Sequence, residues 1–266
     1  MEKIRNEVIP DRVPNKINYK IIILCFAAGI AFHYSMIYFS SLEYQMKNAN
    51  YVIDVVSIIN PLITAIFAFV IAGFYRMSKV FGRAYIFLGL AYLCAATAEV
   101  IYGIQYDIMQ IDPYPSIADL FFAALYIFWI IHIITNIRYF GTTLEHKKLI
   151  VFIMIFCAVT FSYIGITLYQ LHLEPNFEFF YGLLFVVLSG ITLPFVVYTA
   201  MIFKDSALGK AWYVLLLAFL INISGDVWYY YLEVFEQYDL HHPVNFFWYI
   251  GYWIQTYALF KHKKVT

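Results

Sequence analysis

Two acidic residues, Glu99 and Asp226, lie deep inside long apolar runs of this 266-residue sequence. A carboxyl group that leaves water for hydrocarbon costs free energy, so such an acid usually binds a ligand or ion, carries a proton, or forms hydrogen bonds between helices. Desolvation favours the neutral carboxyl, and two acids that approach each other would favour sharing one proton. Both acids are candidate ligand-binding residues, with interhelical hydrogen bonding and catalysis as the alternatives.

Aromatic hydroxyl groups recur at helical spacing beside both acids. Tyr102 and Tyr106 fall on the helical stripe of the first acid, and Tyr229 and Glu233 fall on that of the second. Phenol hydroxyls can donate hydrogen bonds to carboxylates. We therefore expect two acid–tyrosine clusters, and we include the tyrosines in the candidate site.

Residues 112–119, with the sequence DPYPSIAD, precede another apolar run. Ser116 and Asp119 have the spacing of a capping box, in which the serine caps the helix and the acid bonds back to the amide of the capping residue. The alternative is that Asp119 binds ligand near the first buried acid. In the later segment HHPVNFFWYIGY, Asn245 occupies the position that corresponds to Asp119, and we include it in the candidate site.

The elements that must position these residues are apolar helices. Hydrophobic residues make up 63% of the sequence and charged residues 13%, which excludes a soluble or disordered protein. About 20 apolar residues cross a bilayer, so we predict an all-α polytopic membrane protein with eight transmembrane helices. They lie near residues 19–40, 51–75, 82–105, 117–138, 149–170, 177–203, 210–232 and 244–261.

The sequence also contains an internal repeat. Residues 82–102 align with residues 209–229 without a gap, so that Glu99 faces Asp226 in the alignment. We therefore predict two tandem four-helix repeats in the same orientation, related by an axis along the membrane normal. The predicted organisation is an N-terminal segment 1–18, a first repeat 19–138, a second repeat 149–261 and a tail 262–266.

Basic residues indicate how the helices are oriented. Lysine and arginine concentrate before the first span, in alternate connections and after the last span, whereas the other connections are mainly acidic. By the positive-inside rule, both termini are expected to be cytoplasmic, in a multi-pass protein of the cell membrane. No basic surface is available for nucleic acid, so the expected contacts are with membrane lipid and an unknown small ligand.

Cofactor chemistry finds little support in the sequence. His33 and His132 fall at different depths of their spans and cannot ligate one haem. The histidines at 241–242, with Glu236 and Asp239, could bind a divalent metal ion, but adjacent side chains of an extended segment usually point apart. Lysine is missing from the middle of every predicted span, which disfavours a retinal Schiff base. We predict no cofactor and no metal.

Residues 98–102 (AEVIY), the PYPSIAD loop and Tyr126 resemble the multi-span sensory region of bacterial and archaeal histidine kinases and diguanylate cyclases. The resemblance implies a membrane sensory module for a small ligand, ion, lipid or proton. Because the sequence stops at Thr266, we expect a separate partner, such as a histidine kinase, to supply the output. The alternatives are an intramembrane lipid hydrolase, a small transporter or a non-catalytic assembly subunit.

Overall fold

The computed structural model describes residues 17–42, 46–78, 80–111, 113–140, 146–204 and 209–262, and this part of the chain is helical without β-strands. The predicted N-terminal segment up to residue 16, the end of the tail from residue 263, and Asp112 lie outside the described residues. The helices are α1 Tyr19–Ser41, α2 Met46–Phe74, α3 Phe81–Gly103, α4 Ala118–Phe140, α5 His146–Gln170, α6 Phe177–Phe203, α7 Gly209–Val234 and α8 Asn245–His262. A π-helical turn, Ile104–Ile108, extends α3. Each helix coincides with a predicted span.

Seven helices of the described chain, α1 to α7, are long and apolar enough to cross a membrane. This confirms an all-α, multi-pass membrane protein, although the sequence predicts eight such spans. The exception is α8, which has 18 residues and many tyrosine, tryptophan and polar side chains. It packs against α1, α2 and α7, and residues such as Ile250, Ile254 and Ala258 are fully buried. A helix surrounded by protein needs a smaller apolar surface than one that faces lipid.

Six of the helices form a closed ring. In order around the ring, α2 packs on α3, α3 on α4, α4 on α6, α6 on α7, α7 on α8, and α8 returns to α2. The other two helices lie outside this ring: α1 contacts α2 and α8, and α5 contacts α6 and, to a smaller extent, α7. The interior of the ring is therefore lined by both halves of the chain.

Aromatic side chains close one end of the ring. The rings of Trp212 and Phe203 stack with centroids 5.0 Å apart, and Trp212 also contacts the imidazole of His262. The Tyr75 hydroxyl donates a hydrogen bond of 3.0 Å to the carbonyl of His262, which joins the ends of α2 and α8. At the same end, the Asn18 amide donates to the Tyr257 hydroxyl at 2.7 Å. The start of α1 and the end of α8 thus lie on the same face of the protein.

Candidate functional site

A chamber lies inside the ring, towards the end opposite the aromatic closure. Its volume is about 60 Å³, which gives room for about four water molecules. Glu99 on α3 and Asp226 on α7 both line it, together with Asp54 on α2. The two acids that the sequence pairs therefore meet at one cavity, although they come from different halves of the chain.

A larger vestibule of about 1110 Å³ adjoins the chamber. Three residues, Tyr102, Tyr238 and Leu240, line both cavities and separate one from the other. The vestibule is acidic, and none of its described lining residues is lysine or arginine. Its carboxyl groups belong to Asp107, Glu178, Glu233, Glu236 and Asp239. A cation that approaches the chamber through this mouth therefore meets a favourable potential.

Asp226 is held by two hydrogen-bond donors from other helices. The indole N–H of Trp248 on α8 donates to its Oδ1 at 2.8 Å, and the Tyr126 hydroxyl on α4 bonds to its Oδ2. Tyr126 also lies 2.7 Å from the hydroxyl of Ser189 on α6. The hydrogen-bond partners of Asp226 thus lie on other helices of the ring, and Tyr229 on its own helix is not one of them. This arrangement matches the interhelical hydrogen bonding that the sequence left as the structural alternative.

Glu99 has a different environment. Its carboxyl group makes no hydrogen bond within the described part of the chain. It is half-buried because it faces the chamber, where Asp54 and Asp226 lie close enough to interact with it electrostatically. Tyr252 lies close to both Glu99 and Asp226. Of the two paired acids, Glu99 is therefore the one with a free carboxyl group for a ligand.

Asp54 belongs to the chamber but was not predicted from the sequence. Its side chain lies close enough to that of Asp107, in the π-helical turn, for the two carboxyl groups to interact electrostatically. The signal that could have found it is the acid in the apolar segment YVIDVVSII near the start of the second span.

Most of the other predicted site residues line the two cavities. Tyr102 lines both, Tyr229 and Asn245 line the chamber, and Tyr106 lines the vestibule. The rings of Tyr102 and Tyr106 stack at 6.4 Å. The aromatic hydroxyls beside the acids thus form cavity walls.

Asn245 connects the chamber to the segment that covers it. Its side-chain amide donates to the Leu240 carbonyl at 2.7 Å, and the Tyr238 hydroxyl donates to its Oδ1 at 3.1 Å. Burial raises the pKa of Tyr238 well above its ordinary value of 10.0, so the phenol stays protonated and remains a donor. These bonds hold residues 238–240 over the chamber.

Asp119 lies away from both cavities. Its Oδ2 accepts the Ser116 amide at 2.7 Å, while the Ser116 hydroxyl accepts the Ala118 amide at 3.1 Å. This is the capping box that the spacing predicts. The Tyr181 hydroxyl on α6 also donates to Asp119 at 3.2 Å. Asp119 therefore fixes the start of α4 against α6 and does not line the chamber that contains Glu99.

No group of three or more histidine, cysteine, aspartate or glutamate side chains is placed to hold a metal ion within the described residues. The histidine pair is engaged in other contacts, since the Val244 amide donates to His242 Nδ1 at 3.2 Å and the His241 amide donates to Asp239 at 2.7 Å. His33 and His132 are buried on different helices. The arrangement of the chamber therefore suits a ligand that fits between separated carboxyl groups.

Comparisons of the chain with protein-family models, with curated proteins and with solved structures give no match.

Proposed function

We propose that this chain is a membrane-embedded sensory module that admits a small ligand, ion or proton to the chamber and passes a helix displacement to a separate partner protein. The observation that supports this most directly is the meeting of Glu99 and Asp226 at one chamber beside an acidic vestibule. Helices from both halves of the chain line the chamber, so a change of charge or occupancy there acts on the packing of the whole ring.

The helix contacts support the interpretation of the fold as two tandem repeats, 19–138 and 149–261. The series α2–α3–α4 has its counterpart in α6–α7–α8, and the contacts that join the halves, α4–α6 and α8–α2, are also equivalent. The two acids also have equivalent tyrosine neighbours, each from the opposite half of the chain. Tyr126 of the first half bonds to Asp226 of the second, and Tyr252 of the second half lies beside Glu99 of the first.

The proposed orientation places the vestibule on the outer side of the cell membrane. The acidic lining of the vestibule agrees with an outer face, since cytoplasmic connections are enriched in lysine and arginine. Both termini are then cytoplasmic, at the end that the aromatic residues close. A partner such as a histidine kinase, which the sequence resemblance suggests, would contact this inner end.

The shape of the cavities favours a sensor over the alternative of a transporter. The vestibule leads to a small chamber, and beyond it the ring is filled by buried aromatic side chains such as Tyr85, Tyr92 and Trp212. A ligand that enters from the vestibule thus meets packed residues and not a second opening. Such a dead-end cavity suits binding that changes helix packing.

The proposal requires that the charge on Glu99 changes the structure at the opposite end of the ring. Hydrogen–deuterium exchange in lipid nanodiscs would compare wild type with Glu99→Gln at pH 6 and pH 9, following amides of residues 80–85 and 258–262. Protonation removes the charge of Glu99, so the two proteins should exchange more alike at pH 6 than at pH 9. At pH 9 we expect their rates at the inner end to differ by about threefold or more.

Glu174→Gln is the matched control, because Glu174 is exposed and lines neither cavity. It should exchange like wild type at both pH values. If Glu99→Gln changes exchange only around the chamber, or not at all, the chamber does not communicate with the inner end and the sensory function is refuted.

A further inference from the structure

The chamber combines acidic side chains with a wall of aromatic rings. Besides its three carboxyl groups it is lined by seven tyrosine or tryptophan residues. These are Tyr102, Trp129, Tyr229, Tyr230, Tyr238, Trp248 and Tyr252. Aromatic rings attract cations through their faces, and aromatic cages recognise alkylated ammonium groups. Rings and carboxylates together match the chemistry of an organic cation.

Unpaired oxygen atoms add a second, independent observation. Asn222 lies on the chamber wall with only 2% of its surface exposed, and its Oδ1, which has no hydrogen-bond partner among the described residues, packs against Gly251 of α8. The Oδ2 of Asp54, on the same wall, is also buried without a partner there. Buried acceptors without donors cost free energy. A ligand that brings an N–H group to the chamber would satisfy the Asp54 oxygen.

The same geometry argues against a bare metal ion. Within the described residues, the three acids of the chamber do not form a group placed to hold a metal ion, and the faces of the aromatic rings supply none of the oxygen ligands that hard cations require. The space suits a ligand of about four non-hydrogen atoms, judged from its room for about four water molecules. A cation of that size reaches the rings and the separated carboxyl groups at once.

We infer that the chamber binds a small alkylammonium cation, with Glu99 as its counter-charge and the rings of Tyr102, Tyr229 and Tyr252 around its alkyl groups. This inference rests on the proposed function and names the class of ligand for the same site. The acidic vestibule concentrates such a cation at the mouth of the chamber. Glu99 forms the counter-charge because Asp226 is already bonded to Tyr126 and Trp248.

The test is calorimetric titration of the whole protein in lipid nanodiscs with trimethylammonium chloride. tert-Butanol serves as the neutral probe of similar shape, and potassium chloride as the simple-ion control. We expect trimethylammonium alone to bind. Glu99→Gln should weaken this binding at least about tenfold, and Glu174→Gln should leave it unchanged.

A second pair of variants tests the aromatic wall. Tyr102→Phe keeps the ring and should bind within about twofold of wild type, whereas Tyr102→Leu removes it and should weaken binding by about three- to thirtyfold. Equal loss in both variants would show that the hydroxyl, and not the ring, contacts the ligand, which would overturn the cage. Binding of tert-butanol with equal affinity, unchanged binding in Glu99→Gln, or no binding of trimethylammonium would overturn the cationic ligand.

These outcomes are distinct from failure of the proposed function. If trimethylammonium binds as expected but exchange at residues 258–262 stays unchanged, the cation site stands and the sensory role falls. If trimethylammonium does not bind, the sensory role still stands when the ionisation of Glu99 alone alters exchange at the inner end.

Discussion

Neutralising the two paired acids should have different effects on stability, because only one of them is held by hydrogen bonds. Asp226 accepts hydrogen bonds from Tyr126 and Trp248. In Asp226→Asn, the amide oxygen can still accept the Trp248 N–H, but the NH2 group faces the Tyr126 hydroxyl, which then has to turn its own proton towards Ser189, so the bond from the phenol to the carboxylate is lost. We expect a loss of about 1–3 kcal/mol in the free energy of unfolding.

Glu99→Gln loses no hydrogen bond, since the described chain gives Glu99 none. The substitution also removes a carboxyl group that is costly to ionise in a desolvated chamber. We therefore expect Glu99→Gln to unfold at the wild-type temperature or slightly above it. A loss of about 2 kcal/mol in Asp226→Asn corresponds to a fall in Tm of about 4–8 °C.

Thermal unfolding in detergent, followed with a thiol-reactive fluorescent dye, measures this difference. The free cysteines Cys25, Cys94 and Cys157 are half-buried in helices and react fully only on unfolding. Ser224→Ala is the control, because its exposed hydroxyl bonds only within α7, to the Leu220 carbonyl at 2.8 Å. Equal falls in Tm for the two acid variants would refute the distinction between a bonded and a free carboxyl.

Three further predictions concern packing, protonation and capping. A Cβ added at Gly251 would lie 1.4 Å from the Asn222 Oδ1, whereas a Cβ added at Gly165 would meet nothing within 4 Å. In the thermal unfolding assay, Gly251→Ala should therefore lower the free energy of unfolding by about 1–3 kcal/mol, and Gly165→Ala should be neutral or stabilising. Equal effects of the two substitutions would contradict the close contact of α7 with α8. Burial lowers the pKa of His242 from its ordinary value of 6.5, with a smaller opposing effect of Asp239, so the unfolded chain takes up a proton first and stability should fall as pH drops below 6.5. His242→Asn, whose side chain can still accept the Val244 amide, should show a smaller fall, and an unchanged pH profile would contradict this role. Ser116→Ala should cost about 1 kcal/mol through loss of the cap without changing trimethylammonium affinity, whereas a tenfold loss of affinity would place the capping box in the binding site.

Much of the fold could be predicted from the sequence because it follows from local chemistry. A bilayer requires about 20 apolar residues per crossing, so apolar runs located all eight helices, and α6 begins and ends where its pattern predicts, at Phe177–Phe203. The capping box at Ser116 was also local, since its partners are three residues apart. For α8 the sequence predicted the helix but not that its polarity reflects burial among α1, α2 and α7.

The candidate site could be predicted only in part. Glu99 and Asp226 were identified because an acid in an apolar run is costly wherever the helix packs. Helical spacing suggested Tyr229 as a partner of Asp226, but the bonds come from Tyr126 and Trp248 on two other helices. Spacing along one helix says which side chains share a face, and it cannot say which neighbouring helix that face meets.

The number and position of the helices thus follow from the sequence, which also marks two acids as costly groups. That six helices close into a ring, that Asp226 is satisfied by hydrogen bonds across this ring and that Glu99 is not could be learned only from the packed helices. The reason is that hydrophobic burial is non-directional and can be judged from composition. Hydrogen bonds need donor and acceptor within about 3 Å, and only the packing of distant segments brings such atoms together.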